Sequence, residues 1–326
     1  MTMSNIKIKI DKITNYLAKQ AFSEALNVYA DIHAEDKNFL CPESIDTLSA
    51  NRITHIRNAA NLSRRALYEM LSDIQSTKRV NDAVNMLCGT TPKIFDKEKQ
   101  KPNFFFVPNL PSSPFTDPKT VTGLAQFVET MAEFKPLLRD MASIAQERYI
   151  DTVGGAPNTE QWNKLKENWT SVHLVKAGKL TSAGQRLPNP CKKALASDLI
   201  ADCAPHAPEV VISVLQPHAV IPSHFGISNI KWTLHIPLAI NEHASLTVGG
   251  ETVSWNEQRN AILFDDSYEH SAKNASDMQR AVLIIDLWNP HLTTDEREKI
   301  RNIMCKYNEW SSSFGVLANI DSRFYK

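Results

Sequence analysis

Trp232-Thr-Leu-His-Ile-Pro-Leu-Ala-Ile240 and Ala281-Val-Leu-Ile-Ile-Asp-Leu-Trp288 are β-branched and aromatic runs in the second half of the chain. Val210–Leu215, Ser245–Val248 and Ala261–Phe264 are shorter runs of the same kind. Between them fall turn signals at Pro217-His218, Gly249-Gly250 and Asp265-Asp266-Ser267. No helical period separates these runs, so the strands are expected to pair antiparallel in a barrel or jelly roll rather than a parallel α/β sheet. A final helix is expected from Thr294 to about Tyr307, with Thr294 as N-cap and Asp295, Glu296 and Glu298 in its first turn.

Upstream, the punctuation changes. Gly89 is the only glycine in the first 122 residues, and Pro42 the only proline before Pro92. Such scarcity fits long helices. Ile13, Leu17, Phe22, Leu26 and Tyr29 form one helical stripe; Ile45, Leu48, Ile56, Ala59, Leu67, Leu71 and Ile74 form another. Residues 1–90 therefore read as a helical domain whose stripes pack helix on helix. Six prolines between Pro92 and Pro118 mark the boundary, and residues 91–326 form the second domain. A helical pattern from Val121 to Arg148 is expected to break or kink at Pro136.

Composition excludes some functions. The 36 Lys and Arg balance 36 Asp and Glu, and 42% of residues are apolar. A generic nucleic-acid binder carries a basic excess, so no nucleic-acid partner is expected. No window approaches the ~18 apolar residues of a membrane span, and MTMSNIKIKIDK lacks a secretory core, so no membrane partner is expected. The five cysteines form no C-x-x-C pair, which fits reduced thiols and a cytoplasmic location.

Histidine is unevenly placed. Only His33 and His55 fall in the first 172 residues; eight more follow from His173 onward. A histidine-rich jelly roll suggests a mononuclear metal site, since imidazole suits iron, copper, nickel and zinc. The plainer alternative for any one of them is a surface or satisfied core histidine. His218 and His224 are six residues apart; in an extended segment they lie roughly 20 Å apart and cannot share one ion. His224 and His270 fall on different strands, whose ends a closed barrel can bring together. His235 shares a strand face with Thr233, opposite Trp232, Leu234 and Ile236, so it is expected to face a cavity.

An ordered set of motifs then points to a family. It runs Ser213-Val-Leu-Gln-Pro, Ile221-Pro-Ser-His224-Phe-Gly226-Ile-Ser-Asn229, Leu234-His235-Ile-Pro-Leu, Trp255, Phe264-Asp-Asp-Ser-Tyr-Glu-His270 and Arg280-Ala-Val-Leu-Ile-Ile-Asp-Leu-Trp288. The set resembles the aspartyl/asparaginyl β-hydroxylase family of Fe(II)- and 2-oxoglutarate-dependent oxygenases. The resemblance covers about Phe104 to Leu292 and leaves the first 90 residues uncovered. It implies an α+β chain whose catalytic domain is a double-stranded β-helix (jelly-roll, cupin-like) behind an N-terminal helical domain.

It also implies a site. His224 and His270 would be the metal ligands. Gly226 stands where a non-heme iron site usually carries its carboxylate, and the family likewise lacks that ligand. Asp266 would be the catalytic residue that orients a water at the iron. Ser213, His235 and Arg280 would bind 2-oxoglutarate, with the arginine's planar fork suited to its far carboxylate. The cofactors implied are Fe(II), 2-oxoglutarate and O2. The expected reaction hydroxylates an unactivated carbon of a small-molecule, carrier-bound or peptidyl amino-acid unit, releasing succinate and CO2. Thr233 stands where several family members have arginine, which bears on substrate choice. The rival outcomes are halogenation or another oxidation on the same iron, or a non-catalytic jelly-roll binding protein. The helical domain is expected to serve substrate access or self-association, as in a homodimer.

Overall fold

The computed structural model describes residues 3–44, 48–152, 159–239, 242–255 and 260–325. Ile45 of the second helical stripe and Ile240 at the end of its strand lie outside them. The chain divides into two compact units: Met1–Gln75, Val84–Pro92 and Asn302–Lys326 form one, and Ser76–Ala83 with Lys93–Arg301 the other.

The first unit is helical. Helices Met3–Ala18, Phe22–Glu35 and Ala50–Ser72 bury Ile13, Leu26, Tyr29, Ile32, Ile56 and Ala59 in one cluster. That is the stripe pattern of amphipathic helices. The same cluster takes in Leu317 and Ile320 from the C-terminus. The expected division at residue 90 is thus corrected twice. The C-terminal segment returns to the helical unit because it completes that unit's core: Trp310 Nε1 donates to the Ser63 carbonyl (2.8 Å), Ser63 Oγ donates to the Phe314 carbonyl (2.7 Å), and Arg64 pairs with buried Asp321. Ser76–Ala83 belongs instead to the second unit, where Thr77 and Arg79 donate to buried Glu296 (both 2.7 Å).

The second unit is built on twelve strands among the described residues. In chain order they are β1 Phe115–Thr116, β2 Glu147–Arg148, β3 Trp169–Lys176, β4 Lys179–Leu180, β5 Val210–Leu215, β6 Val220–His224, β7 Lys231–Ala239, β8 Ala244–Val248, β9 Glu251–Ser254, β10 Ile262–Phe264, β11 His270–Asn274 and β12 Arg280–Trp288. The larger sheet runs β1-β10-β7-β12-β5-β3-β2, with β4 beside β3, and the smaller runs β6-β11-β8-β9. Every pairing is antiparallel. From β5 to β12 the chain passes back and forth between the sheets, which is the winding of a double-stranded β-helix.

Strand alternation separates two cores. Val210, Ile212, Val214, Trp232, Leu234, Ile236, Leu283 and Ile285 point outward from the large sheet and pack with Leu124, Phe127, Met131, Leu138 and Met141 of helices Leu124–Ala132 and Lys135–Ser143. Pro136 sits in the first turn of the second of these helices, where its missing N–H costs nothing, so the expected helix from Val121 to Arg148 is two shorter ones. Leu215, Val282, Ile262 and Phe264 point inward, toward Ile221, Leu246, Val248 and Ala272 of the small sheet.

The strand runs read from sequence recur in β5, β7, β8, β10 and β12; the other seven strands are additions, β6 and β11 among them. β6 is an edge strand with Pro222 in its middle, where a missing N–H is tolerated. β11, His-Ser-Ala-Lys-Asn, is short and polar. Neither has the apolar alternation that announces a strand. The last helix starts where expected but runs to Ser313, and its cap is one residue earlier. Glu296 N donates to Thr293 Oγ1 (3.2 Å) and Thr293 N to Glu296 Oε2 (2.9 Å), a reciprocal capping box.

Candidate metal and oxoacid site

β6 ends and β11 begins at the same place. Their register sets His270 opposite His224, and the two rings lie 4.1 Å apart between centroids. His224 Nδ1 donates to the Pro222 carbonyl and His270 Nδ1 to the Tyr268 carbonyl, each at 2.8 Å. A carbonyl only accepts, so Nδ1 must carry the proton in both rings. Each Nε2 therefore keeps its lone pair, the arrangement that a carbonyl accepting from the other ring nitrogen imposes on a metal-binding histidine. Burial lowers both histidines, His224 to about 3 with help from neighbouring His270, and His270 to about 4. They are neutral, as ligands must be.

Gly226 leaves no room for a third ligand. A Cβ there would lie 2.7 Å from both the carboxyl carbon and the carbonyl oxygen of Asp266. Gly226 N donates to that same carbonyl at 2.7 Å. Among the described residues no cluster of three or more His, Cys, Asp or Glu could hold an ion. The donor set is two imidazoles.

The Asp265-Asp266-Ser267 turn divides its labour. Asp265 is the turn carboxylate: fully buried, it accepts from Ser267 N (3.0 Å) and Gln100 Nε2 (3.1 Å), and burial pushes it up to about 7. Asp266 turns toward the histidines. Its Oδ2 accepts from Lys231 Nζ (3.0 Å), while Oδ1 is buried with no hydrogen-bond partner. Lys231 also reaches Asp286 Oδ1 (2.8 Å). Burial opposes the Lys231 charge, but the two carboxylates prevail and hold its pKa above the ordinary value.

Beyond the histidines the inner face of the large sheet is polar. Arg280 opens β12 at 1% exposure, with Nε and Nη1 unpartnered and its guanidinium 4.8 Å from the Trp255 ring. Burial lowers it to about 10. His235 stacks on Trp255 (6.0 Å, 16°), meets Phe264 edge-on (4.9 Å) and has an unpartnered Nδ1. Burial, then the charge of Arg280, holds its pKa well below the ordinary value. Ser213 is buried on the same face, where its Oγ accepts from Trp169 Nε1 (2.9 Å). Thr233 Oγ1 and Trp255 Nε1 are likewise buried without partners. Buried polar groups are normally paired. Orphaned atoms on Asp266, Thr233, His235, Trp255 and Arg280 together are what a bound anionic ligand and a metal-side water would satisfy.

All six residues singled out from sequence thus meet around one inter-sheet space. The other histidines go elsewhere. His173 contacts Glu147 (2.9 Å), His206 contacts Ser228 (2.9 Å), and exposed His218, with φ of 60°, contacts Asp277 (2.9 Å). Three site residues were missed. Lys231 and Asp286 share strand parity with Thr233, His235 and Arg280, a signal present in the sequence. Trp162, whose ring meets His224 edge-on at 5.5 Å, lies on the helix Glu160–Leu165 and carries no such signal.

The fold and the site define a double-stranded β-helix protein in which two facing neutral histidines lie beside a buried arginine. Over residues 130–290 the chain matches the family model described as aspartyl/asparaginyl beta-hydroxylase. It is 30% identical over 218 residues to "Aspartate beta-hydroxylase domain-containing protein 2" of Xenopus tropicalis, covering 63% of this chain and 55% of that one. The human protein of that name is 30% identical over 216 residues, covering 62% and 54%. Human "Aspartyl/asparaginyl beta-hydroxylase" is 25% identical over 205 residues, covering 61% of this chain and 26% of its own length. The chain spans about half the length of the first two. A solved oxidoreductase of the 2OG-Fe(II) oxygenase family from Burkholderia pseudomallei overlaps 44% of this chain and 76% of its own, at 10% identity and a TM-score of 0.26. At that level the strand order, and not the overlay, defines the fold. No helix of the described residues is long and apolar enough to cross a membrane.

Proposed function

We propose that the chain is an Fe(II)- and 2-oxoglutarate-dependent hydroxylase. It oxidises an unactivated carbon of an amino acid or amino-acid-like unit, free, carrier-bound or peptidyl, with succinate and CO2 as coproducts. The observation that carries this reading is the pairing of two neutral imidazoles, each with Nε2 free, with a buried arginine that has unpartnered N–H groups. When bound, iron with 2-oxoglutarate and O2 supplies the oxidising power that breaks the C–H bond.

The protein's part is positioning and electrostatics. His224 and His270 would hold the metal, locked by the Pro222 and Tyr268 carbonyls. Being neutral, they leave the ion's charge for a dicarboxylate to balance. Arg280 binds the far carboxylate through its fork, and Ser213 and His235 offer polar groups along the same wall. Asp266 Oδ1 would accept a hydrogen bond from a water beside the metal, while Lys231 fixes Oδ2. Its negative charge next to Gly226 also disfavours a chloride ion there, so hydroxylation is the outcome chosen over halogenation. Trp162 and Phe264 screen the histidines from solvent.

The names of the relatives support an aspartyl or asparaginyl unit as one substrate class. Thr233 lacks the cation that would pair a substrate carboxylate, which favours a neutral unit. The reading includes a cytoplasmic location, supported by five cysteines that stand as thiols, and a role for the helical unit in substrate access or self-association. The test is a screen of amino acids and peptides for stimulated conversion of 2-oxoglutarate to succinate, followed by product mass. A gain of one oxygen is expected. A chlorinated product, or no turnover with any member, overturns the hydroxylase assignment.

A further inference from the structure

We infer that Trp255 is a second recognition residue for the far carboxylate of the oxoacid, its indole N–H donating beside the Arg280 guanidinium. The inference rests on the cosubstrate reading above and extends it to a residue that packing alone would assign to the core. Trp255 is the largest fully buried side chain in the described protein, at 0% exposure. A buried indole N–H normally finds an acceptor. Here Nε1 has none, and neither do Nε and Nη1 of the arginine whose guanidinium lies 4.8 Å from the indole ring. Donors gathered without an acceptor describe a place for an anion. No carboxylate of the described residues pairs with Arg280, so the protein does not fill the place itself.

The ring has a further job. It stacks on His235 at 16° and underlies the guanidinium, so one rigid plane orients both groups. Cation–π contact fixes the arginine without consuming its N–H donors, which ion pairing would have consumed. Trp232 provides an internal comparison. Its Nε1 is also buried and unpartnered, but it belongs to the outer core of the large sheet, away from Arg280.

The test uses the full chain loaded with Mn(II) and two oxoacids of equal length. 2-Oxoglutarate has the far carboxylate and 2-oxopentanoate lacks it. Trp255→Phe keeps an aromatic plane and removes the N–H. By calorimetry it should weaken 2-oxoglutarate roughly tenfold or more, as loss of a charge-assisted hydrogen bond does, while 2-oxopentanoate and Mn(II) bind as in the wild type. In the unmutated protein, 15N-indole spectra should show one N–H moving downfield with 2-oxoglutarate and not with 2-oxopentanoate; the Trp232 signal should stay. Unchanged 2-oxoglutarate affinity in Trp255→Phe, equal weakening of both oxoacids, or an indole signal indifferent to the far carboxylate would each overturn the inference while leaving the hydroxylase reading intact. A wild type that binds no 2-oxoglutarate overturns that reading, and this inference with it.

Discussion

Gly226 is the residue on which the site's chemistry turns. It carries only a hydrogen where a Cβ would lie 2.7 Å from both the Asp266 carboxyl carbon and its carbonyl oxygen. Even alanine must push the turn away. Gly226→Ala is therefore expected to cost about 1–3 kcal/mol of stability and to lower turnover by displacing Asp266, checked by urea unfolding and succinate release. Gly226→Asp is expected to do the same rather than to supply a third ligand, because its first carbon already clashes. At the proposed metal site, His224→Ala and His270→Ala should each abolish turnover and weaken iron binding. His218→Ala and His243→Ala should do neither, since both side chains are about two-thirds exposed on other loops. Normal activity in either ligand variant would remove the metal assignment. Arg280→Ala should raise the 2-oxoglutarate requirement by an amount worth about 2–5 kcal/mol, read from the dependence of rate on its concentration.

Two ion networks tie elements together. Lys231 on β7 bridges Asp286 on β12 and Asp266 on the turn before β11. Lys231→Met leaves two buried carboxylates uncompensated and is expected to cost about 3–5 kcal/mol, with activity lost along with the aim of Asp266. Stability matching the wild type would show that the bridge is dispensable. The second network caps the last helix. Hydrogen bonds from Arg79, first, and Thr77 hold Glu296 down at about 2. A carboxyl lowered on folding contributes stability that is full above its ordinary pKa and lost as pH falls toward the folded value. Here that window runs from about 4.5 down to about 2, and the term is about 2–3 kcal/mol. Unfolding free energies across this window should fall for the wild type and flatten for Glu296→Gln.

At the scale of the whole chain, the C-terminus belongs to the helical unit. Leu317 is fully buried with Ile13, Ile32 and Ile56. Leu317→Ala is expected to cost about 2–5 kcal/mol, read as a lowered unfolding midpoint, while iron binding by the β unit persists. Loss of iron binding in that variant would contradict the division into two units. Residues 1–90 considered alone gave no sign of this, because a helical stripe shows that a face is buried and not what buries it.

Sequence by itself determined five strands of the β unit, β5, β7, β8, β10 and β12, and their faces. Alternation in Trp232–Ala239 and Arg280–Trp288 decides which side chains point inward, since a strand's period is two. Thus His235 opposite Trp232, Leu234 and Ile236 was readable, and so was the family resemblance that singled out His224, His270, Asp266, Ser213 and Arg280. The limit lies in what local pattern encodes. β6 and β11 carry the two facing histidines on short, polar or proline-bearing strands, whose pairing comes from neighbours far along the chain. The tertiary structure alone decided that the Pro222 and Tyr268 carbonyls fix the imidazole tautomers, that Lys231 anchors Asp266, and that Gly226 must lack a side chain. It alone set Trp255 beneath Arg280. The two carbonyl contacts span only two residues but depend on the strand-end geometry of β6 and β11; the others join residues remote in sequence, and only the closure of two sheets on one another brings such residues within reach.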